Sequence, residues 1–494
     1  MIKQLSRRRF IKFAAAAGTT AIVGFDASTR TWVTSAQAGT LSFQGVPKLD
    51  GALIFDDVSR KAIAVDRGNI FHRIPAAVFR PGSVLDIVKM VQYANQHSLK
   101  IAIKGNGHSR YGQTQAEAGI VLDSKALNNI HIQSKESVDA QPGVFWSEVA
   151  STTLAEGLTP RVFPATCLTI TVGGTLSAGG LGNTSHIYGA QVDNVTELDV
   201  VTGNGRLVTC SPNHESELFN MVLAGLGQCG IIVRARIRLM PAPSHVLLHE
   251  LTYTDLDKYI ADQLRMVKDG RLDSQRGTMI RNKNGTWNFT IEAGKFFSPP
   301  KTPNLASLES DLEFDSAVAP VRMTYRDYLF RFEAVNAAAN SDRPAPVITM
   351  WVPASCTKDY LSNILSMPTD VAALARSDGS DRFACYPMNT HRFTCPLFKV
   401  PTEDQAFSLW LFRSAPLGDQ MALSALLASN SELLAKMTAI GGKRYGPYSM
   451  VLSPEEWEAH FGPNVWKRLS HAKKKFDPNG VLSPEPAMFG HPRA

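Results

Sequence analysis

Charge is scarce in this chain: 19% of its 494 residues are charged, against 44% hydrophobic. That balance excludes a disordered or highly solvated chain and leaves ample material for large cores. Cysteine is scarce too. The six cysteines (Cys167, Cys210, Cys229, Cys356, Cys385, Cys395) include no C-x-x-C pair, which removes the usual zinc frameworks. Cys385 and Cys395 alone stand close enough in sequence to suggest a disulfide. Long apolar runs are missing: Phe13–Phe25 is too short and too rich in Ala, Gly and Thr for a good membrane span. No internal repeat or low-complexity tract occurs. The formal charge of +7 is concentrated at one end, because residues 1–38 hold Lys3, Arg7, Arg8, Arg9, Lys12 and Arg30 against Asp26, a net of +5. The remainder carries about +2, which gives nucleic-acid binding no electrostatic support.

The basic end has its own reading. Ser6-Arg7-Arg8-Arg9-Phe10-Ile11-Lys12 resembles a twin-arginine export signal, followed by the short apolar stretch and by Ala36-Gln37-Ala38, an A-x-A cleavage site before Gly39. The expectation is a folded protein delivered to the periplasm or secreted by the twin-arginine machinery, residues 1–38 being its signal peptide.

Beyond it the length suggests two domains. Ala76–Phe79 reads as a strand, Ser83 as a helix N-cap with Asp86 three residues on, and Val84, Ile87, Val88, Val91 and Ala94 repeat at helical spacing. Lys100–Ile103 is an apolar strand that runs into Lys104-Gly105-Asn106-Gly107-His108-Ser109-Arg110-Tyr111-Gly112-Gln113; Gly119–Asp123 is the next strand. A strand–helix–strand order of this kind makes an α/β unit. Gly-x-Gly alone is a weak phosphate-loop signal, without the third glycine or the P-loop lysine; His108 directly after the second glycine adds information, although a hydrogen-bonded loop histidine has the same local appearance. A second unit begins at Ala140–Gly143, with a helical pattern over Trp146–Ala155. The uncharged, glycine-rich Thr171–Gly182 reads as a compact loop against a flat ligand. Asn194–Gly205 alternates and ends in a hairpin turn, and Gly230–Leu239 is a long strand. After Pro241-Ala242-Pro243 the glycine motifs stop, and 245–440 mixes strand-like and helical runs. The expected divisions are 39–244, 245–440 and a tail, 441–494, with an amphipathic helix near Trp466–Lys475.

Taken in order, Gly105–Gln113, Thr171–Gly180, Glu197–Gly203, Gly225–Ile232 and Phe476–Ser483 with Phe489 closely resemble cytokinin dehydrogenases and related bacterial flavin oxidases of the vanillyl-alcohol-oxidase (PCMH-type FAD-binding) superfamily. The resemblance implies an α+β fold: a two-lobed, discontinuous FAD-binding domain completed by the tail, and a cap domain with an antiparallel sheet and flanking helices over the flavin. It implies FAD along Ile103, Gly105, Asn106, Gly107, Ser109 and Gln113, with a covalent bond from His108 to the 8α-methyl. Thr171, Ser177, Leu181 and Ile232 would line the rest, and Tyr445 and Ser483 would reach back from the tail.

The chain also departs from its relatives. The aspartate base of plant cytokinin dehydrogenases corresponds to Thr166, and the acidic partner in the cap to Arg276; a neutral hydroxyl does not accept a proton as a carboxylate does. Cys167 stands six residues before Gly173, where berberine-bridge-type enzymes place a cysteine bonded to flavin C6; it is either such a second tether or a small residue packed beside the ring. Tyr445 and Thr166 are the polar groups left for the substrate side, Tyr445 alternatively serving the flavin alone. These features imply an oxidoreductase that removes a hydride from a carbon bearing N or O, with a small-molecule substrate and oxygen or a quinone-like acceptor. The competing readings are a berberine-bridge-like alcohol or sugar oxidase with bicovalent FAD, and a flavin-binding protein without turnover.

Overall fold

The computed structural model describes residues 22–26, 31–34, 43–282, 284–333, 343–367, 382–450, 452–485 and 487–490. Arg7, Arg8 and Ala36–Ala38 lie outside them. Part of the expected leader is inside: strands Ile22–Asp26 and Thr31–Thr34 form an antiparallel pair.

The first lobe is a four-stranded sheet of β1 (Ala52–Ile54), β2 (Ala77–Arg80), β3 (Ile101–Lys104) and β4 (Ile120–Asp123), in the order β1-β2-β4-β3. β4 runs parallel to both β2 and β3. The helix Val84–Gln96 makes the crossover. Ser83 Oγ caps it by accepting the Asp86 N–H, and Ile87, Met90, Val91 and Ala94 face the sheet.

The second lobe is a six-stranded sheet: β5 (Ile130–Ser134), β6 (Ser137–Ala140), β7 (Leu158–Pro160), β8 (Val195–Thr202), β9 (Leu207–Cys210) and β10 (Gly230–Pro241). Its order is β9-β8-β10-β6-β5, with β7 also paired to β10. The β8–β9 hairpin falls where Asn204-Gly205 anticipates it.

A nine-stranded sheet, antiparallel in every pairing, forms the other half. It comprises β11 (His245–Tyr253), β12 (Ser274–Arg281), β13 (Trp287–Phe297), β14 (Ser316–Ala317), β15 (Val321–Thr324), β16 (Ile348–Pro353), β17 (Arg382–Asn389), β18 (Gln405–Phe412) and β19 (Lys443–Arg444). Helices Leu256–Asp269, Thr357–Leu365 and Gln420–Ala439 cover one face, so that Tyr259, Leu361 and Leu433 share a core with Met279, Ile348 and Leu409. The other face carries Trp351, Tyr386 and Met388 into the core of the second lobe. The fold is therefore the expected α+β arrangement.

Two local expectations fail. The glycine-rich stretch is no loop throughout: Val172–Ala178 is a seven-residue helix. Cys385 and Cys395 are both free and buried in different cores, Cys385 beneath the helices and Cys395 toward the second lobe.

Candidate functional site

A cleft opens where β3, β10, the helix Val172–Ala178 and the tail converge. Ile103, Gly105, Asn106, Gly107, His108, Ser109, Gln113, Thr171, Ser177, Ile232, Tyr445 and Ser483 all line it. Thr166, Cys167 and Leu181 lie outside that lining. Leu181 packs against the core of the second lobe, and its carbonyl accepts the Ala165 N–H.

The loop after β3 must approach its neighbour closely. A Cβ on Gly105 would stand 2.0 Å from Thr171 Oγ1. Gly227, at φ +73°, passes so near Ser483 that a Cβ would meet its Oγ at 2.6 Å. The N–H groups of Asn106, Gly107 and His108 make no backbone hydrogen bond among the described residues, so this turn keeps the free donors of an anion nest. Lys104 turns away from the cleft; its Nζ donates to the carbonyls of Ile63 (2.8 Å) and Val65 (2.9 Å), and burial pushes its pKa down to about 8. The Asn106 amide donates to the Thr169 carbonyl at 2.5 Å and ties the loop to the irregular segment that carries Cys167.

His108 Nε2 lies 3.5 Å from Cys167 Sγ, and that sulfur lies 3.3 Å from Thr169 Oγ1. Burial, followed by the charges of Arg67 and Arg110, pushes His108 down to about 3, so its imidazole is neutral and nucleophilic at ordinary pH.

The tail closes the cleft. Ser483 N–H donates to the Ile101 carbonyl, and Ile101 N–H to the Val481 carbonyl, each at 2.8 Å. Gln113 Nε2 donates to the carbonyls of Gly446 (2.8 Å) and Ser449 (3.3 Å). The Tyr445 hydroxyl accepts the Gly180 N–H at 3.2 Å. Its ring lies 5.9 Å from that of Tyr448, 5.8 Å from Trp410 and 5.7 Å from Phe398. Burial raises the Tyr445 pKa, so the group is a phenol that donates rather than a base.

Sequence reasoning missed several lining residues, among them Pro142, Leu226, Gly227 and Tyr448. Tyr448 was signalled by the Tyr445-Gly446-Pro447-Tyr448 run; Pro142 had no local signal, since only the fold brings it against Gly173. Arg276 lies on β12 directly opposite Glu292 of β13.

This cleft fits a dinucleotide with a pyrophosphate. It offers free backbone donors, glycines where a Cβ would fill the space, and a buried Thr171 hydroxyl without a partner among the described residues.

Comparison with known proteins agrees. Residues 75–211 match the family model of the FAD binding domain, and residues 271–489 match that of "Cytokinin dehydrogenase 1, FAD and cytokinin binding". The chain is 35% identical to an uncharacterized oxidoreductase, ORF5 in the fasciation locus of Rhodococcoides fascians, over 87% of this chain and 97% of that one. It is 31% identical to cytokinin dehydrogenase 9 of Oryza sativa subsp. japonica, over 89% of this chain and 91% of the rice enzyme. Its fold is similar to that of 6-hydroxy-D-nicotine oxidase from Arthrobacter nicotinovorans, with a TM-score of 0.69 at 19% identity, covering 88% of this chain and 97% of the other. Matched along nearly its whole length by such relatives, and with a cleft suited to a dinucleotide, this chain belongs to the cytokinin dehydrogenase-like family of PCMH-type FAD-dependent oxidoreductases.

Proposed function

We propose that the chain is an exported FAD-dependent oxidoreductase that removes a hydride from a carbon bearing N or O, and that it carries its flavin covalently. Bound FAD would supply the redox chemistry by taking up the hydride. The residues supply position. The nest at Asn106–His108 would hold the pyrophosphate, Thr171 and Ser483 would bond the remainder of the cofactor, and Tyr445 would donate its phenol hydrogen at the ring. Neutral His108 would bear the flavin at the 8α-methyl. Thr166, in place of the aspartate expected from plant cytokinin dehydrogenases, supplies no carboxylate base, so the rice relative's substrate does not transfer to this chain by analogy.

A second reading, the bicovalent one, has its own support: Cys167 Sγ lies 3.5 Å from His108 Nε2, so both side chains can reach the same edge of one ring. That distance carries the tether proposal. The test is acid precipitation of the purified protein. Wild type should keep its yellow colour and the mass of FAD. Each single variant, His108→Ala and Cys167→Ala, should stay coloured, and only the double variant should release FAD. If His108→Ala alone releases all of it, Cys167 is a packing residue. If wild type releases its flavin, the covalent reading fails.

Export rests on the Arg7-Arg8 pair and Ala36-Gln37-Ala38. Delivery of an already folded flavoprotein suits a cofactor acquired before transit.

A further inference from the structure

The roof of the cleft is one face of the nine-stranded sheet. Strand register follows that face outward: Tyr386 pairs with Ser408, Ala384 with both Trp410 and Thr278, Thr278 with Thr290, and Arg276 with Glu292. Residues two apart on a strand share a face, so Arg276, Glu292, Tyr386 and Trp410 lie on the same side. The Trp410 ring stands 5.8 Å from Tyr445 and 5.1 Å from Tyr448, both of which line the cleft. The Arg276–Glu292 pair therefore belongs to the surface facing the flavin-domain loops, where Gln275 N–H donates to the Asn183 carbonyl, and lies beyond the lining of the cleft itself.

On that surface one carboxylate is ion-paired to one guanidinium, and a second guanidinium is carried by the neighbouring strand. Arg331 Nη2 lies 2.5 Å from Glu292 Oε1, and Arg276 faces Glu292 from the neighbouring strand. Aromatic rings fix both cations: Arg331 lies 3.8 Å from the Tyr328 ring and 4.4 Å from that of Phe332, while Arg276 lies 4.7 Å from Phe332. Tyr386 lies on the same face of the sheet as Arg276. Arg276 is only 7% exposed, and the side chains of Arg331 and Glu292 are 14% and 18% exposed. Glu250 stands opposite Glu292 on β11, so the row holds two carboxylates for two guanidiniums; among the described residues, however, Arg276 forms no ion pair, and Nε of both arginines is buried without a partner. A buried guanidinium without an ion-pair partner is unfavourable until an anion meets it, and its planar fork matches a carboxylate or phosphate.

We propose that Arg276, backed by Arg331, receives an anionic group of the substrate, so that the molecule oxidised is an amine or alcohol bearing a carboxylate or phosphate. This rests on the oxidoreductase reading above and specifies its substrate class. Glu292 holds Arg331 in place and competes with the incoming anion.

The test uses the flavin-loaded protein and three small probes of like shape: benzoate, phenyl phosphate and benzamide. Binding is read from perturbation of the visible flavin spectrum and, independently, by titration calorimetry. At least one anion should bind about tenfold or more tightly than neutral benzamide, the tighter of the two identifying carboxylate or phosphate. Arg276→Gln should remove most of that preference while leaving benzamide affinity within about twofold, and Arg276→Lys should restore part of it. Glu292→Gln should tighten the anions, an effect no packing role predicts. Equal affinity for benzamide and the anions in wild type, or equal weakening of all three probes by Arg276→Gln, overturns the proposal. If the purified protein holds no flavin, the oxidoreductase reading is what fails, and calorimetry still reports whether these arginines bind anions.

Discussion

Removing one buried amine should loosen the tail from the flavin lobes. Lys473 sits in the helix Pro463–Phe476, and its Nζ donates to Asp477 Oδ2 (2.6 Å) and to the carbonyls of Gln228 (2.8 Å) and Leu482 (3.1 Å). The Asp477 side chain is fully buried and also accepts the N–H groups of Val481 (2.8 Å) and Leu482 (2.9 Å). Each of these contacts borders the cleft, because Gly227 and Ser483 line it next to Gln228 and Leu482. Lys473→Met fills the same channel without a charge. It leaves Asp477 as a buried carboxylate supported only by backbone donors and strips two carbonyls of a donor. Removing one member of a buried ion pair costs about 3–5 kcal/mol. We therefore expect a loss in that range, together with lower flavin content on purification, because Ser483 is no longer held against Ile101.

A double-mutant cycle isolates the pair. Asp477→Asn removes the stranded charge, so Lys473→Met/Asp477→Asn should cost about 1–3 kcal/mol less than the sum of the single changes. Urea unfolding of the flavin-loaded protein, followed by tryptophan and flavin fluorescence, reads both quantities. Strict additivity, or a Lys473→Met cost below about 1 kcal/mol, would show that the pair does not clamp the tail.

Acid should unfold the protein through one histidine. His460 is pushed down to about 3, first by burial and then by the nearby cations Lys443, Arg444 and Lys399. An unfolded histidine titrates near 6.5, so between about pH 6.5 and pH 3 the unfolded chain binds more protons than the native one. The stability contributed by the neutral form is complete above that window and declines as pH falls through it. Thermal midpoints measured across this range should drop, and His460→Gln should flatten the drop; an unchanged acid profile in that variant would refute the assignment. For export, changing both Arg7 and Arg8 to lysine keeps the charge and removes the motif, so flavoprotein should accumulate in the cytoplasm. Unaltered periplasmic delivery of that variant would sink the twin-arginine reading.

The two sides of the cleft differed in how far they could be read from sequence, and the reason is physical. The cofactor side consists of loops where backbone meets ligand or backbone, and such positions announce themselves through glycine: Gly105 because a side chain would collide with Thr171, Gly227 because one would collide with Ser483. Glycine can also mislead. Val172–Ala178 is helical despite Gly173 and Gly174, each of which disfavours a helix by about 1 kcal/mol relative to alanine. Here tertiary packing wins, since Val172, Thr175 and Leu176 are buried and Gly173 lies where a Cβ would come within 2.6 Å of Pro142. That contact joins residues far apart in the chain, and no local pattern encodes it. The substrate side is built from strands, whose alternation says which residues share a face but not what stands opposite them. Arg276, Glu292, Arg331 and Tyr386 come from separate segments and meet only through the register of β12, β13 and β17 and the return of the helix Tyr325–Phe330. A loop that cradles a shared cofactor is thus legible within ten residues, whereas a cluster such as Arg276, Glu292 and Arg331 becomes visible only once the strands are paired.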